Sequence, residues 1–510
     1  MRNRYSSIIL LLAAIKFVLP FILSHPAFEL HRDEYLYYAQ GQHLSLGYLE
    51  NPPLIGLLAF ISSLLGGSFF WVKFWPALFG SFTLLATAGI VKELGGNLFA
   101  QIIAASGIIL TAYMRIHFLF QPNFLDIFFW TLSAYYLLRF INTAGDKYLY
   151  LLCFALALGW WSKYSVFFFV AAIFISLLLT KHRTILQKKH FWLAAGLGIL
   201  FIFPNILWQY FHNWPLIIHM DELRDTQLKY INKADFIKEQ LLMLLPVLFV
   251  WIGGLAWLLK NNKYRIIGCI YLVVIILLML GSGKGYYALG AYPMLLAAGS
   301  VWLERISITR KWLRYASASL ILLLSIPFIP ILLGVESPGN MAVTNKKLHL
   351  EKMGLLKWED QKQHPLQQDF ADMLGWKELA QKSEKIFQQL PDSIKKNTIV
   401  YCRNYGQAGA LKYYAKDDLF KKTVFTDNGS FLLWIPEISF FKHLLFIGRR
   451  MPEEDDEVFQ HFEQVTVVDS VNNPLSRQHG DKIFFFENGS DSVWKLADKG
   501  LKEEKAKFGQ

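Results

Sequence analysis

The sequence predicts a polytopic α-helical membrane protein of about eleven transmembrane helices, followed by a C-terminal α/β domain on the outer side. Three observations predict it. The chain of 510 residues is 54% hydrophobic, and its 42 Phe, 23 Tyr and 16 Trp exceed what a soluble core needs but suit aromatic belts at membrane interfaces. Apolar stretches close to span length recur through the first two-thirds. The charge then changes character: residues 1–335 carry 26 Lys and Arg against 13 Asp and Glu, whereas residues 336–510 carry 25 against 26. The net charge of +12 therefore belongs to the membrane part, where basic residues set topology, and nucleic acid is excluded as a partner.

Taken in order, the predicted spans are 6–24, 71–91, 98–114, 123–141, 148–162, 165–180, 190–208, 240–259, 265–282, 286–303 and 315–333. Arg2 and Arg4 before an apolar run imitate a signal peptide, but no small-residue cleavage pattern follows, so the first segment reads as an uncleaved helix. The stretch 54–65 is apolar but short, and reads as a helix lying on or dipping into the outer surface. With the N-terminus inside, fifteen of the 26 basic residues fall in inner loops, facing only Glu93, Asp146 and Glu304. That bias sets the orientation by the positive-inside rule. It predicts a multi-pass protein of the cytoplasmic (inner) membrane with the loop 25–70, the loop 209–239 and everything after 335 outside.

In the tail, 398–402, 444–447, 465–468 and 483–486 read as strands, and 371–389, 407–414 and 453–462 as helices between them. Strands alternating with helices predict a small α/β unit over 336–510, entered through a linker or surface arm at 336–370. The acidic run 453–457 reads as a solvated helix start, where carboxylates suit the dipole. Cys153, Cys269 and Cys402 are too scattered for a disulfide framework or a zinc site.

Acidic side chains close to a bilayer are costly unless they are used. Asp33 and Glu34 follow the first span, Glu50 directly precedes Asn51-Pro52-Pro53, and Asp126 sits near the outer end of the fourth span. Each has a plainer reading as a solvated carboxylate, a helix cap or an interfacial group reaching headgroup water. Arg115 and His117 stand upstream of Asp126 as counter-ions. Pro52 and Pro53 break the helix and aim 54–65 along the surface. Among cations on the same side, Lys163 reads on its own as a snorkelling lysine. Lys284 lies between glycines that let backbone N–H groups approach a phosphate. In the loop 212–224, Trp214 could stack on a sugar and Arg224 hold phosphate, or both could belong to an amphipathic surface helix.

The string His31-Arg32-Asp33-Glu34-Tyr35-Leu36-Tyr37-Tyr38-Ala39, followed by Glu50-Asn51-Pro52-Pro53-Leu54, resembles the first outer loop of polytopic lipid-linked-sugar glycosyltransferases. These are the family-39, dolichyl-phosphate-mannose protein mannosyltransferase-like enzymes of the GT-C superfamily, with their relative the lipid A aminoarabinose transferase. The resemblance implies a GT-C membrane domain over 1–335 and an extracytoplasmic domain over 336–510. It implies a polyprenyl-phosphate-linked sugar donor, membrane lipid and an unidentified envelope acceptor as partners. It implies Asp33 as the catalytic carboxylate with Glu34, Glu50 and Asp126 around it. Lys163, Lys284, Arg224 and Tyr287 become the residues of the donor phosphate. Asn51 departs from the family's lysine in Glu-Lys-Pro-Pro, which removes a cation from that place.

Sugar transfer from such a carrier needs a carboxylate for the acceptor proton, positive charge for the leaving phosphate and an apolar groove for the prenyl chain. The acids could share a divalent cation with water, though nothing in the sequence requires a metal. A polytopic transporter is the alternative, but transporters favour midplane charges and repeated halves, whereas here the acids gather at one face and no repeat is found.

Overall fold

A computed structural model describes residues 6–226, 228–438, 440–452 and 457–510. Arg2, Arg4 and most of the acidic run 453–457 lie outside the described residues. Each of the eleven predicted spans overlaps helix, but 98–114 and 240–259 are interrupted and 286–303 opens in the 3-10 turn Gly285–Ala291. Four helices are long and apolar enough to cross a membrane: Phe69–Glu93, Asn123–Thr143, Lys189–Phe211 and Trp312–Leu332. Two further candidates are bent pairs, Val166–Leu179 with Lys181–Gln187 at 110° and Lys233–Met243 with Leu245–Lys260 at 70°. Shorter apolar helices, among them Ser7–Leu23 and Arg265–Leu280, complete the bundle. On Lys189–Phe211 the side chains of Trp192, Leu197, Ile199 and Leu200 stand more than half exposed, an apolar face suited to lipid rather than water.

Between the helices Ser7–Leu23 and Phe69–Glu93 the chain makes the short helix Arg32–Gln40. Its start is fixed locally. His31 Nδ1 accepts the N–H of Asp33 at 3.2 Å, and Glu34 Oε2 accepts the N–H of His31 at 2.6 Å. Glu34 then reaches inward. Lys73 Nζ lies 2.6 Å from both of its oxygens, and the N–H of Phe120 donates to Oε1 at 2.5 Å. Both ionic side chains are fully buried, and the lysine also lies 4.2 Å from the Phe118 ring centre. One carboxylate thus ties the outer helix, the helix Phe69–Glu93 and the turn before Asn123 together. The helix Leu54–Leu64 packs beside the outer helix with Ile55, Leu58 and Ala59 buried, so 54–65 is a half-buried helix.

The tail contains a five-stranded sheet in the order β2-β1-β3-β5-β4. The strands are β1 (Thr398–Cys402), β2 (Val424–Phe425), β3 (His443–Gly448), β4 (Gln464–Ser470) and β5 (Lys482–Glu487). β1 pairs in parallel with β2 and β3, while β5 runs antiparallel to β3 and β4. The central strand β3 is buried along its whole length, as its run of Leu, Phe and Ile requires. The two-residue β2 gave no alternating pattern to read and was not predicted. The predicted helix 371–389 begins instead at Trp376, because Gly375 at φ +85° breaks the chain there.

The sheet unit sits directly on the outer helix. The helix Tyr405–Tyr414 crosses it so closely that a Cβ on Gly409 would meet Tyr35 Cβ at 2.7 Å and one on Gly406 would meet Arg32 Cγ at 2.5 Å. Only glycine permits that approach. The stretch 336–370 is not a detached arm. It forms the helix Pro338–Lys347 and buries Met341, Leu366 and Phe370 against Phe28, Met114 and Phe118. Its apolar residues pay their way in this core.

Removing one partner of a buried ion pair strands the other charge, which costs about 3–5 kcal/mol. Lys73→Met should therefore lower the unfolding midpoint of the detergent-purified protein strongly, whereas the double change Lys73→Met with Glu34→Leu should recover part of it. A single variant as stable as wild type would show that the pair does not anchor the outer helix.

Candidate functional site

Asp33 occupies the first turn of the outer helix and lines a cavity of about 350 Å³. Its carboxylate accepts three side-chain donors: Tyr405 Oη at 2.8 Å, Gln121 Nε2 at 3.1 Å and Arg32 Nε at 3.3 Å. Burial pushes this carboxyl up, but the charges of His31 and Arg32 and the bonds from Tyr405 and Arg32 outweigh it, holding it down at about 2. The group is therefore a carboxylate at any physiological pH. Its side chain stays 23% exposed, open toward the cavity.

Across that cavity stands Lys284, at the start of the turn Gly285–Ala291. The glycine after it brings its N–H to Glu239 Oε2 at 3.1 Å, and Glu239 also lines the cavity. Arg115 closes one side. It donates to Asp369 Oδ2 at 3.0 Å and also to Gln367 and to the carbonyls of Ile331 and Leu332. The rest of the wall comes from the tail, including Leu355, Glu359, Gln367, Asp369 and Asp372. Apolar groups such as Leu242, Met243, Phe328 and Ile331 supply the remaining surface, as a prenyl chain would need.

The predicted residues do not all meet there. Lys163 caps the helix Lys147–Ser162, donates to Asn123 Oδ1 at 2.6 Å and lies 4.2 Å from the Tyr287 ring centre. Asp126, one turn beyond Asn123, accepts Ser165 Oγ at 2.7 Å and leaves its other oxygen buried without a bond. Burial brings the Lys163 ammonium down to about 8, with Asp126 pulling upward and Lys284 adding to the fall. Lys163 and Tyr287 thus stand next to the cavity wall, Lys163 through its bond to Asn123 and Tyr287 beside Tyr286. Glu34 faces away, in the buried pair with Lys73. Glu50 is held at the tail, accepting the N–H of Ser430 at 2.6 Å and its Oγ at 2.5 Å. Arg224 is exposed and remote from the cavity lining, near Asp221 at 3.8 Å.

Three expectations change. Arg115 is the partner of Asp369 rather than the counter-ion of Asp126, and His117 is buried with neither ring nitrogen bonded. The arm 336–370 supplies part of the cavity wall. Asn51 has no vacant lysine's role to fill: its amide pairs reciprocally with Gln40 at 2.9 and 3.1 Å, and it is buried. Sequence reading missed Tyr405, Gln121 and Asp369. Asn404 and Gln407 form a capping box that marks a helix start, but no pattern says that Tyr405 beside it reaches a residue 372 positions earlier. Among the described residues no group of three His, Cys, Asp or Glu could hold a metal ion.

This helical bundle, with Asp33 on its helix Arg32–Gln40 and a small sheet unit packed against that helix, shares its fold with ArnT and AglB. The crystal structure of ArnT from Cupriavidus metallidurans bound to undecaprenyl phosphate matches with a TM-score of 0.62 over 94% of this chain and 97% of that one, at 10% identity. The oligosaccharyltransferase AglB from Archaeoglobus fulgidus, in complex with an inhibitory peptide and a dolichol-phosphate, matches with a TM-score of 0.52 over 86% of this chain and 69% of that one, also at 10% identity. Residues 50–208 match the family model described as dolichyl-phosphate-mannose-protein mannosyltransferase. No curated protein matches the sequence.

The depressed value of Asp33 fixes a pH signature. Its contacts stabilise the fold fully above the unfolded value of about 3.9, and that contribution is lost as pH falls through about 2. Tyr405→Phe removes one donor to a charged group, worth about 1.5–3 kcal/mol at neutral pH. The gap in unfolding midpoint between variant and wild type should close as the pH is lowered from 4 toward 2. A gap that stays constant over that range would mean that Tyr405 acts through packing alone.

Proposed function

We propose that the protein is a glycosyltransferase that moves a sugar from a polyprenyl-phosphate-linked donor to an envelope acceptor at the outer face of the cytoplasmic membrane. The observation that carries this reading is the cavity itself, with Asp33 on one wall, Lys284 on another and apolar groups between. Its surroundings suit the reaction. The donor's phosphate lies against Lys284, with Lys163 and Tyr287 behind it, and the prenyl chain follows the apolar wall. The acceptor's oxygen attacks the anomeric carbon, the bond to the phosphate oxygen breaks, and the phosphate departs with its charge neutralised by lysine. The proton of an acceptor hydroxyl passes to Asp33.

A carboxylate with three donors is a weak proton acceptor, so Tyr405 or Gln121 must yield its bond as the acceptor binds. In this scheme residues 1–335 are the membrane domain, with eleven spans and a first outer loop at 25–70, and residues 336–510 are the extracytoplasmic domain. Asp126 tunes Lys163, while Glu34 and Glu50 hold the outer loop in place. The undecaprenyl phosphate of the ArnT structure and the dolichol-phosphate of the AglB structure support a carrier of this class for the present chain.

Purified protein given a synthetic polyprenyl-phosphate sugar and envelope extract tests the reading. Asp33→Asn should cut transfer by about a hundred- to ten-thousand-fold while donor binding persists. Lys284→Met should instead weaken use of the donor, and more so than Lys163→Met. Undiminished transfer by the Asp33→Asn protein would move the catalytic carboxylate elsewhere, with Asp126 next in line. The orientation has its own check: a reporter that works only outside the cytoplasm, fused after Gln510, should be active, and activity of a cytoplasm-only reporter there would refute it.

A further inference from the structure

A second cavity, of about 590 Å³, shares Arg32 with the first but is not lined by Asp33. It opens at the carboxyl ends of β1 and β3, where Arg403 and Asn404 follow one strand and Arg449 and Arg450 follow the other. After β1 the chain turns away to β2 on one side, and after β3 it turns away to β4 on the other. That crevice is the topological switch point of the sheet, the place where open α/β folds bind their ligands.

The lining is strongly basic. Arg32, Arg403, Arg449, Arg450 and Arg477 face it, against Asp481 alone among acids. Some of this charge is already used. Arg477 is held by Asp372 at 3.0 Å and Glu359 at 2.9 Å, and Arg449 lies 3.5 Å from Asp481. The guanidinium groups of Arg403 and Arg450 have no partner among the described residues, and both are exposed. Gln478 adds an independent sign. It is 4% exposed and lines the cavity, yet its side-chain amide bonds to no described residue. An amide that faces a cavity and makes no bond to the described protein is free to bond a ligand there. Guanidinium forks and an amide N–H suit planar or tetrahedral oxyanions.

We propose that this crevice is a recognition site for an oxyanion carried by the acceptor, a phosphate or carboxylate that is read but does not itself react. The proposal rests on the glycosyl-transfer reading and deepens it, because Arg32 lines both cavities and so sets the anion beside the attacking group at Asp33. The acceptor is then an anionic glycan or glycolipid rather than a neutral one.

Isothermal titration of the detergent-solubilised full chain with glucose 6-phosphate, glucuronate and glucose tests it. At least one anionic sugar should bind, glucose should not, and the better anion distinguishes phosphate from carboxylate. Arg403→Gln combined with Arg450→Gln should weaken that binding at least about tenfold. Both residues are exposed, so the thermal unfolding midpoint should stay at the wild-type value, and binding of polyprenyl monophosphate should persist. Anion binding that survives the double change, equal binding of glucose, or no binding of either anion by wild-type protein would overturn the proposal. Wild-type protein that binds anions through these arginines but transfers no sugar would leave the site standing and remove the glycosyltransferase reading instead.

Discussion

The buried pair of Glu34 and Lys73 is the constraint on which the outer face depends. A carboxylate and an ammonium with no exposure are costly to bury, and the cost is offset only because every acceptor position is filled. Lys73 supplies two contacts, and the N–H groups of His31 and Phe120 supply the others. Three segments far apart in sequence therefore converge on one group. The adjacent residue, Asp33, inherits its position from this arrangement: it leaves the helix about 100° around from Glu34 and meets Gln121, which follows the anchored Phe120.

The second constraint is the seam between the outer helix and the tail. Gly406 and Gly409 bring the helix Tyr405–Tyr414 into backbone contact range, Glu50 grips Ser430, and Tyr405 reaches Asp33. Arg115 is fixed from the same direction by Asp369 and Gln367. The cavity is thus built from both ends of the chain, with cations of the bundle facing acids of the tail. Its charge balance is internal to the protein, acids and cations lining the same wall.

Much of this was legible in the sequence, for physical reasons that differ by element. Apolar runs of span length have few alternatives to helix, so each of the eleven segments overlaps helix, and 398–402 proved a strand over the same residues. Broken spans escaped, because the bend at Leu244 leaves composition unchanged while turning the chain by 70°. Asp33 and Lys284 were legible through a local string and through flanking glycines. Side-chain partnerships were not: neither Arg115 with Asp369, 254 residues on, nor Asn51 with Gln40, 11 residues back, leaves a mark in spacing. The arm 336–370 misled because its mixed polarity reads as solvated, whereas its polar residues line a cavity and its apolar ones pack on Phe28 and Phe118.

The bond from Tyr405 to Asp33 has a consequence for how the molecule is made. The two residues are separated by 372 positions, so during synthesis the outer helix emerges long before its roof exists. Until the sheet unit has been made and folded, Asp33 lacks its tyrosine, Arg115 lacks Asp369, and the cavity lacks the part of its wall that the tail supplies. Chains caught part-way through biogenesis are therefore incomplete at the site as well as in the fold. Competence arrives as a final event, coupled to delivery of the last third of the polypeptide.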